Sequence, residues 1–366
     1  MRVLVMGMSS ILGGVETYIY NLVKNQKNKN IIYDFLIVDN KTSVFQKEIN
    51  ECINDGENHF FFCPSIKKNF LTTRKWLKSF YKSHSYDLIY LNTCTAARVI
   101  YCEYAVKKLR IPLIVHSHSA NATLSLHKWS NLIFRKEITK ISKIRLACSE
   151  VAYKWMFTDV PKEGAVIPNG VELDRFKFNQ GWRNEIRNQL RIGEADVLIG
   201  NVGRLSAQKN QSFLIDLCDF LDEKYKFIII GDGELRENLT EEIKKNNLEK
   251  RVLLISAQKE IEKYYSAMDV FVMPSIFEGL PIVAIEAQAE GLPCILSENI
   301  SKQTSLSADV VFRSLEDVDS WEAEIKRLSH KRYDGTKLVA QNGFDSRRPV
   351  EIVERILTEC YEEHER

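Results

Sequence analysis

At 366 residues, with 45% hydrophobic and 27% charged side chains, the chain has the composition of a globular enzyme and the length of two domains. No run of about 18 apolar residues occurs, which argues against a spanning helix, and the eight cysteines form no C-x-x-C pair, which argues against a disulfide frame or a zinc site and for a reducing cytoplasm. The net charge of +2 hides a split: residues 1–168 hold 24 Lys and Arg against 13 Asp and Glu, a net of +11, and the remainder holds 27 against 36, a net of −9, so the two halves should meet different partners.

Short apolar runs alternate with helix-length stretches throughout, which predicts α/β architecture with parallel sheets. Met1–Gly7 reads as a buried first strand, since glycine ends it too soon for a signal peptide. Gly13-Gly14-Val15-Glu16 follows, opening a helix over 14–25. Glycines there allow close backbone approach to a ligand, and a helix start favours an anion; the plainer alternative is a tight turn. Further strands are expected over Tyr33–Val38, Asp87–Leu91, Pro112–His116 and Arg145–Cys148. Residues 67–82 mix cations with aromatics at helical spacing, which suits either an anionic membrane surface or a solvated helix with its aromatics turned inward. His116 and His118 stand two apart at a strand end, so both imidazoles can face one side; two histidines without a third ligand make a poor zinc site.

The turn Ile167-Pro168-Asn169-Gly170-Val171 reads as the linker, giving domains 1–168 and 169–348. In the second half, strands are expected over Val197–Val202, Lys226–Ile230, Val252–Ile255, Val270–Met273 and Pro293–Leu296. Arg204 and Lys209 lie in the loop after the first of these and suit a diphosphate together, one as a forked donor set and one as a compact charge; the alternative is two solvated cations. Gly231-Asp232-Gly233 does not complete a dinucleotide fingerprint, because Arg236 stands where the third glycine should be. Asp317-Val318-Asp319 reads as a helix start and not as a metal ligand pair.

Phe277–Ala287 carries the most information. Two glutamates, Glu278 and Glu286, flank Gly279, Leu280 and Pro281, with Pro281 expected at the first helical position. Such a helix mouth offers free N–H groups to an anion, one carboxylate at the mouth and another along the helix. A diphosphate flanked by two polyols, as in a nucleotide sugar, fits.

This paired-glutamate segment resembles the signature of the GT-B retaining glycosyltransferases of family 4, and the run Pro274–Pro293 resembles the subgroup that builds bacterial exopolysaccharide and capsule. The resemblance extends to Gly13–Glu16, His116–His118 and Gly203–Lys209. It implies a GT-B fold: two Rossmann-like doubly wound domains facing across a cleft, with a last helix, 349–366, packed back on the first domain. It assigns Gly13, Gly14, Arg204, Lys209, Gly279, Leu280, Pro281 and Glu286 to the donor, Glu16 and His116 to the acceptor side, and His118 and Glu278 to catalysis. Within that scheme His118 positions the donor sugar, Glu278 its hydroxyls and Glu286 the ribose, while Arg204 and Lys209 steady the departing diphosphate and Gly231-Asp232-Gly233 borders the nucleotide cleft. The family glycine after the Val252–Ile255 strand is replaced by Ser256-Ala257. The partners implied are a nucleotide-sugar donor, with UDP favoured, a lipid-linked (polyprenyl-diphosphate) saccharide acceptor and the inner face of an anionic membrane. No nucleic acid, resident cofactor or metal is expected. The alternatives are a nucleotide-sugar epimerase on the same scaffold or a non-catalytic partner subunit.

Overall fold

The computed structural model describes residues 1–38, 42–119, 125–328 and 332–366, with the side chains of 125–128 outside that description. The chain divides into two compact units, one of Met1–Gly170 with Ser346–Arg366 and one of Val171–Asp345. The first unit holds strands β1 (Arg2–Met6), β2 (Ile32–Val38), β3 (Phe60–Cys63), β4 (Leu88–Thr93), β5 (Leu113–Ser117) and β6 (Ile144–Ala147). The second holds β7 (Val197–Val202), β8 (Tyr225–Ile230), β9 (Val252–Ile255), β10 (Val270–Met273), β11 (Cys294–Ser297) and β12 (Val310–Arg313). Both sheets are parallel, ordered β3-β2-β1-β4-β5-β6 and β12-β11-β10-β7-β8-β9, so each unit repeats one doubly wound pattern.

Ten of the twelve strands fall on the expected segments, shifted by a residue or so. The two that composition did not flag, β3 and β12, are four residues long and stand at sheet edges. A central parallel strand is covered on both faces and reads as a continuous apolar run.

Alternation along β1 shows how the layers form. Leu4 and Met6 enter one core with Leu77 and Ile138, while Val3 and Val5 enter the other with Ile19 and Leu357. Leu357 belongs to the terminal helix Arg347–Glu365, which buries Val350, Val353, Leu357 and Cys360 in the first unit. Its Glu354 carboxylate accepts from the backbone N–H groups of Lys27 (3.0 Å) and Asn28 (3.2 Å). None of the eight cysteines is in a disulfide. Among the described residues, no helix is long and apolar enough to cross a membrane.

In sheets of this order, ligands bind at the carboxyl ends of the strands, where the strand order reverses. Those points lie between β1 and β4 and between β7 and β10. Gly7, directly after β1, takes φ +136°, and a β-carbon there would come 2.6 Å from the carbonyl oxygen of Asn92 on β4. Glycine therefore lets the two strand ends close at the reversal.

Candidate active site

In the second unit, the loop after β7 is built by close backbone approach. A β-carbon at Gly231 would overlap the carbonyl oxygen of Gly203, and one at Gly233 that of Leu205. The backbone bonds Leu205 N to Asp232 O (3.0 Å) and Leu235 N to Leu205 O (3.2 Å) join the two loops. Gly231-Asp232-Gly233 thus supports the cation-bearing loop. Arg236, in place of a third glycine, donates to Gly231 O (3.2 Å), Asp232 Oδ1 (3.2 Å) and Ser256 Oγ (2.9 Å), while Ala257 N donates to Asp232 Oδ2 (3.0 Å). The departures at 236 and 256–257 form one polar cluster.

The far end of the same loop is stitched to the paired-glutamate segment. Ile276 N donates to Gln208 O (2.8 Å), Asn210 Nδ2 to Pro274 O (3.2 Å), and Gln208 Nε2 to Phe277 O (3.1 Å) and Glu278 Oε1 (3.2 Å). Lys209 Nζ lies 2.7 Å from Glu278 Oε1, and both side chains are largely buried. Arg204 is mostly exposed and pairs with Glu234 at 3.0 Å. The two cations expected on one anion are therefore each held by a separate carboxylate.

The helix runs Ile282–Ala289, with Pro281 as its N-cap at φ −72°, ψ 110°. Pro281 was expected at the first helical position; its extended ψ puts the start one residue later. Gly279 and Leu280 are half-buried ahead of it, and Leu280 packs on the core. Glu286 accepts from the Tyr265 hydroxyl at 3.1 Å, which also donates to Val283 O at 3.0 Å. Burial raises the Glu286 carboxyl to about 7, against the opposing pull of Tyr265 and of Arg175. Arg175 is itself clamped to Glu262 through its Nε at 2.8 Å. One turn on, burial likewise raises the fully buried Glu290 to about 7, with Ser266 Oγ donating to it at 3.0 Å. Sequence reasoning missed Tyr265, Arg175 and Glu262; their distance along the chain from Glu286 left no local signal.

In the first unit, Gly13 caps the helix Gly14–Lys24. A β-carbon at Gly13 would come 2.9 Å from Glu16 Oε2, whereas Gly14 faces open space. Glu16 is buried and accepts from Ser9 Oγ at 2.7 Å, and its burial raises its pKa. His118 and His116 lie with ring centroids 4.3 Å apart, so they do share a side. They do not share an environment. His116 is fully buried and its Nδ1 meets the Tyr90 hydroxyl at 2.7 Å, which in turn meets Tyr18 at 2.8 Å. In this arrangement the His116 ring has no exposed surface and is held by a buried tyrosine. His118 is half-buried, with Nε2 2.9 Å from Asn92 Oδ1. An amide oxygen only accepts, so with Asn92 in this orientation the proton sits on Nε2. Burial lowers His118 to about 3, and it lowers His116 well below the usual range, with help from His118. Both rings are neutral near pH 7.

The helix Phe70–Ser83 buries Leu77, Phe80 and Tyr81 and stacks Trp76 on Phe80 at 5.0 Å, so its aromatics mostly turn inward. Asp317 accepts from Ser320 N at 3.2 Å at the start of Val318–Leu328, as a helix cap does. Among the described residues, the one cluster with metal-ligand spacing is Asp55, Glu57 and His59. There both His59 nitrogens already bond carboxylates, Asp34 at 2.8 Å and Asp55 at 2.9 Å.

The family model "Glycosyl transferases group 1" matches residues 183–337, and "Glycosyltransferase Family 4" matches 12–175. EpsF of Bacillus subtilis strain 168, a glycosyltransferase by its description, is 30% identical over 92% of this chain and 91% of its own. The chain belongs to glycosyltransferase family 4. Another relative in the family is an Escherichia coli enzyme described as UDP-Gal:alpha-D-GlcNAc-diphosphoundecaprenol alpha-1,3-galactosyltransferase, 30% identical over 75% of this chain and 76% of its own. Anabaena HepE, solved with UDP and glucose, superposes with TM-score 0.80 at 18% identity over 98% of this chain and 99% of its own, which shows the GT-B fold. As a glycosyltransferase of that fold, the chain carries its Lys209–Glu278 pair and Glu286 beside the order reversal of its second sheet.

Proposed function

We propose that this glycosyltransferase moves a sugar, with retention of anomeric configuration, from a UDP-sugar to a polyprenyl-diphosphate-linked saccharide in the synthesis of an exopolysaccharide or capsule. The observation that carries this reading is the Lys209–Glu278 pair at 2.7 Å, beside a helix that bears Glu286. Lys209 and Arg204 take the diphosphate, Glu278 the hydroxyls of the transferred sugar, and Glu286 the ribose. The free N–H groups at the start of Ile282–Ala289, after Gly279-Leu280-Pro281, add to the anion site. His118, neutral and oriented by Asn92, positions the donor sugar, and Gly13-Gly14 with Glu16 serve the acceptor side.

In the reaction, the bond from the anomeric carbon to the phosphate oxygen breaks, and the acceptor oxygen bonds that carbon on the same face. The acceptor proton passes to the departing diphosphate. Fixed cations aimed at the charge that develops there lower the barrier, and with Lys209 and Arg204 in that role no metal is required. The E. coli relative, named for a diphosphoundecaprenol-linked acceptor and a UDP donor, supports both substrate classes. The acceptor would place the enzyme at the inner face of the cell membrane, bound peripherally.

The test is thermal stabilisation by UDP-Glc, UDP-Gal, UDP-GlcNAc, UDP-GalNAc and GDP-Man, with EDTA and with Mg²⁺. One nucleotide sugar should raise the melting temperature in either condition, and Glu286→Ala should remove the rise. No shift with any of them defeats the donor-site reading.

A further inference from the structure

One cation at the carboxyl edge of the first sheet has no ion-pair partner among the described residues. Four segments lead from the ends of β1, β4, β5 and β6 to the next helix: residues 7–13, 94–102, 118–124 and 148–149. Arg98 is the one Lys or Arg in all four. It is half-buried, on the tight helical turn Ala96–Tyr101, which buries Ala96, Val99 and Tyr101. Among the described residues its guanidinium makes no hydrogen bond and no ion pair. The turn beneath it is held on three sides. Ala96 N donates to Asn131 Oδ1 at 2.7 Å, Trp155 Nε1 to Cys94 O at 3.2 Å, and the Tyr81 hydroxyl to Tyr101 O at 3.1 Å. It stands beside the reversal of strand order, since β4 pairs with β1 and Gly7 packs on Asn92. Burial raises the Glu16 carboxyl, and the charge of Arg98 is among the pulls that oppose it. Glu16 is nevertheless bonded to Ser9 and leaves the guanidinium unpaired.

We propose that Arg98 anchors the acceptor: its guanidinium pairs with the diphosphate that joins the acceptor saccharide to its lipid. A half-buried cation gives up hydration and here gains no counter-charge, a deficit that a bound anion removes. A guanidinium fork matches two phosphate oxygens at once. The cations proposed for the donor diphosphate, Arg204 and Lys209, belong to the second unit, and each is paired with a carboxylate. Arg98 belongs to the first unit, at the same sheet edge as Gly13, Gly14 and Glu16, so it serves the other substrate. It binds and orients; no bond to it forms or breaks. The inference rests on the diphosphate-linked acceptor proposed above. No motif marks Arg98 along the chain, and only its place at a strand end, unpaired, singles it out.

The experiment is titration calorimetry of the full chain with geranyl diphosphate, a short lipid diphosphate, under saturating UDP to fill the donor site. The wild type should bind the probe. Arg98→Ala should bind it about 10- to 100-fold more weakly, with its melting temperature and its stabilisation by UDP unchanged. Arg98→Lys should fall between the two, since lysine keeps the charge and loses the fork. Geraniol, which has the chain without the charge, should not distinguish the three proteins. With a diphosphate-linked acceptor, Arg98→Ala should raise the acceptor KM by a similar factor and leave the donor KM near the wild-type value. No binding by the wild type under UDP, or equal binding by Arg98→Ala, overturns the proposal. So does binding of glucuronate that depends on Arg98 where binding of geranyl diphosphate does not, because Arg98 would then read an acidic sugar. Arg98-dependent binding without stabilisation by any nucleotide sugar supports the anchor and sinks the donor reading alone; the reverse pattern sinks the anchor alone.

Discussion

The two units share one strand order but equip the carboxyl edges of their sheets in opposite ways. The first presents neutral groups: His118 on Asn92, and His116 on Tyr90 and Tyr18, with both imidazoles kept uncharged by burial. The second presents charges in pairs: Lys209 with Glu278, Arg204 with Glu234, Arg175 with Glu262. Neutral rings recognise by shape and hydrogen bonds and are indifferent to salt and to pH near neutrality, while beside them the Glu16 carboxyl, raised by burial, titrates. A paired site holds each charge against a partner that an incoming ion can replace, so its affinity depends on both.

The comparison breaks most visibly at Lys209. Lys209→Ala removes a proposed diphosphate cation and leaves Glu278 largely buried without it; kcat should fall by about 10²–10³, measured as UDP release with acceptor present. A loss below about tenfold would leave the second unit's charges without a catalytic role.

A smaller effect should follow pH. Glu286, raised to about 7, gains its proton as pH falls through neutrality. With Glu286 on the ribose as proposed, the protonated carboxyl gives up those charge-assisted bonds, so the donor Kd should weaken about tenfold from pH 8 to pH 6. Titration calorimetry across that range checks it, and Glu286→Gln should bind weakly and without the pH dependence. The sign for folding is opposite to that for binding. A carboxyl raised above its ordinary 4.5 carries no penalty below that value, and its cost to the ligand-free protein grows as pH rises through 7.

The smallest effect is expected at His118. With its pKa at about 3, it adds no inflection to kcat/KM between pH 5 and 8. Asn92→Asp would put a carboxylate against Nε2, raise that pKa, and bring a histidine inflection into the profile. An inflection near pH 6.5 in the wild type that His118→Asn removes would mean the first unit is charged after all.

Much of this could be read along the chain. The central strands announce themselves as apolar runs, and the turn at 167–171 sits at the boundary between the units. The spacing of Gly13–Glu16, Gly203–Lys209 and Glu278–Glu286 is local, and a local pattern survives folding unchanged. The edge strands β3 and β12 went unflagged, whereas β6 and β9, equally short and also at edges, were flagged. The helix of residues 67–82 was open to two readings because cations and aromatics at helical spacing do not say which face meets the sheet.

The sequence by itself determined the doubly wound architecture, the family and which residues stand at strand ends, because side-chain period and motif spacing are properties of neighbours. Tertiary structure alone decided which partner each residue has and whether it is charged. Tyr265 reaches Glu286, Asn92 reaches His118 and Lys209 reaches Glu278 across 21 to 69 positions of chain. Desolvation at those meeting points, not residue type, sets Glu286 near 7 and His118 near 3.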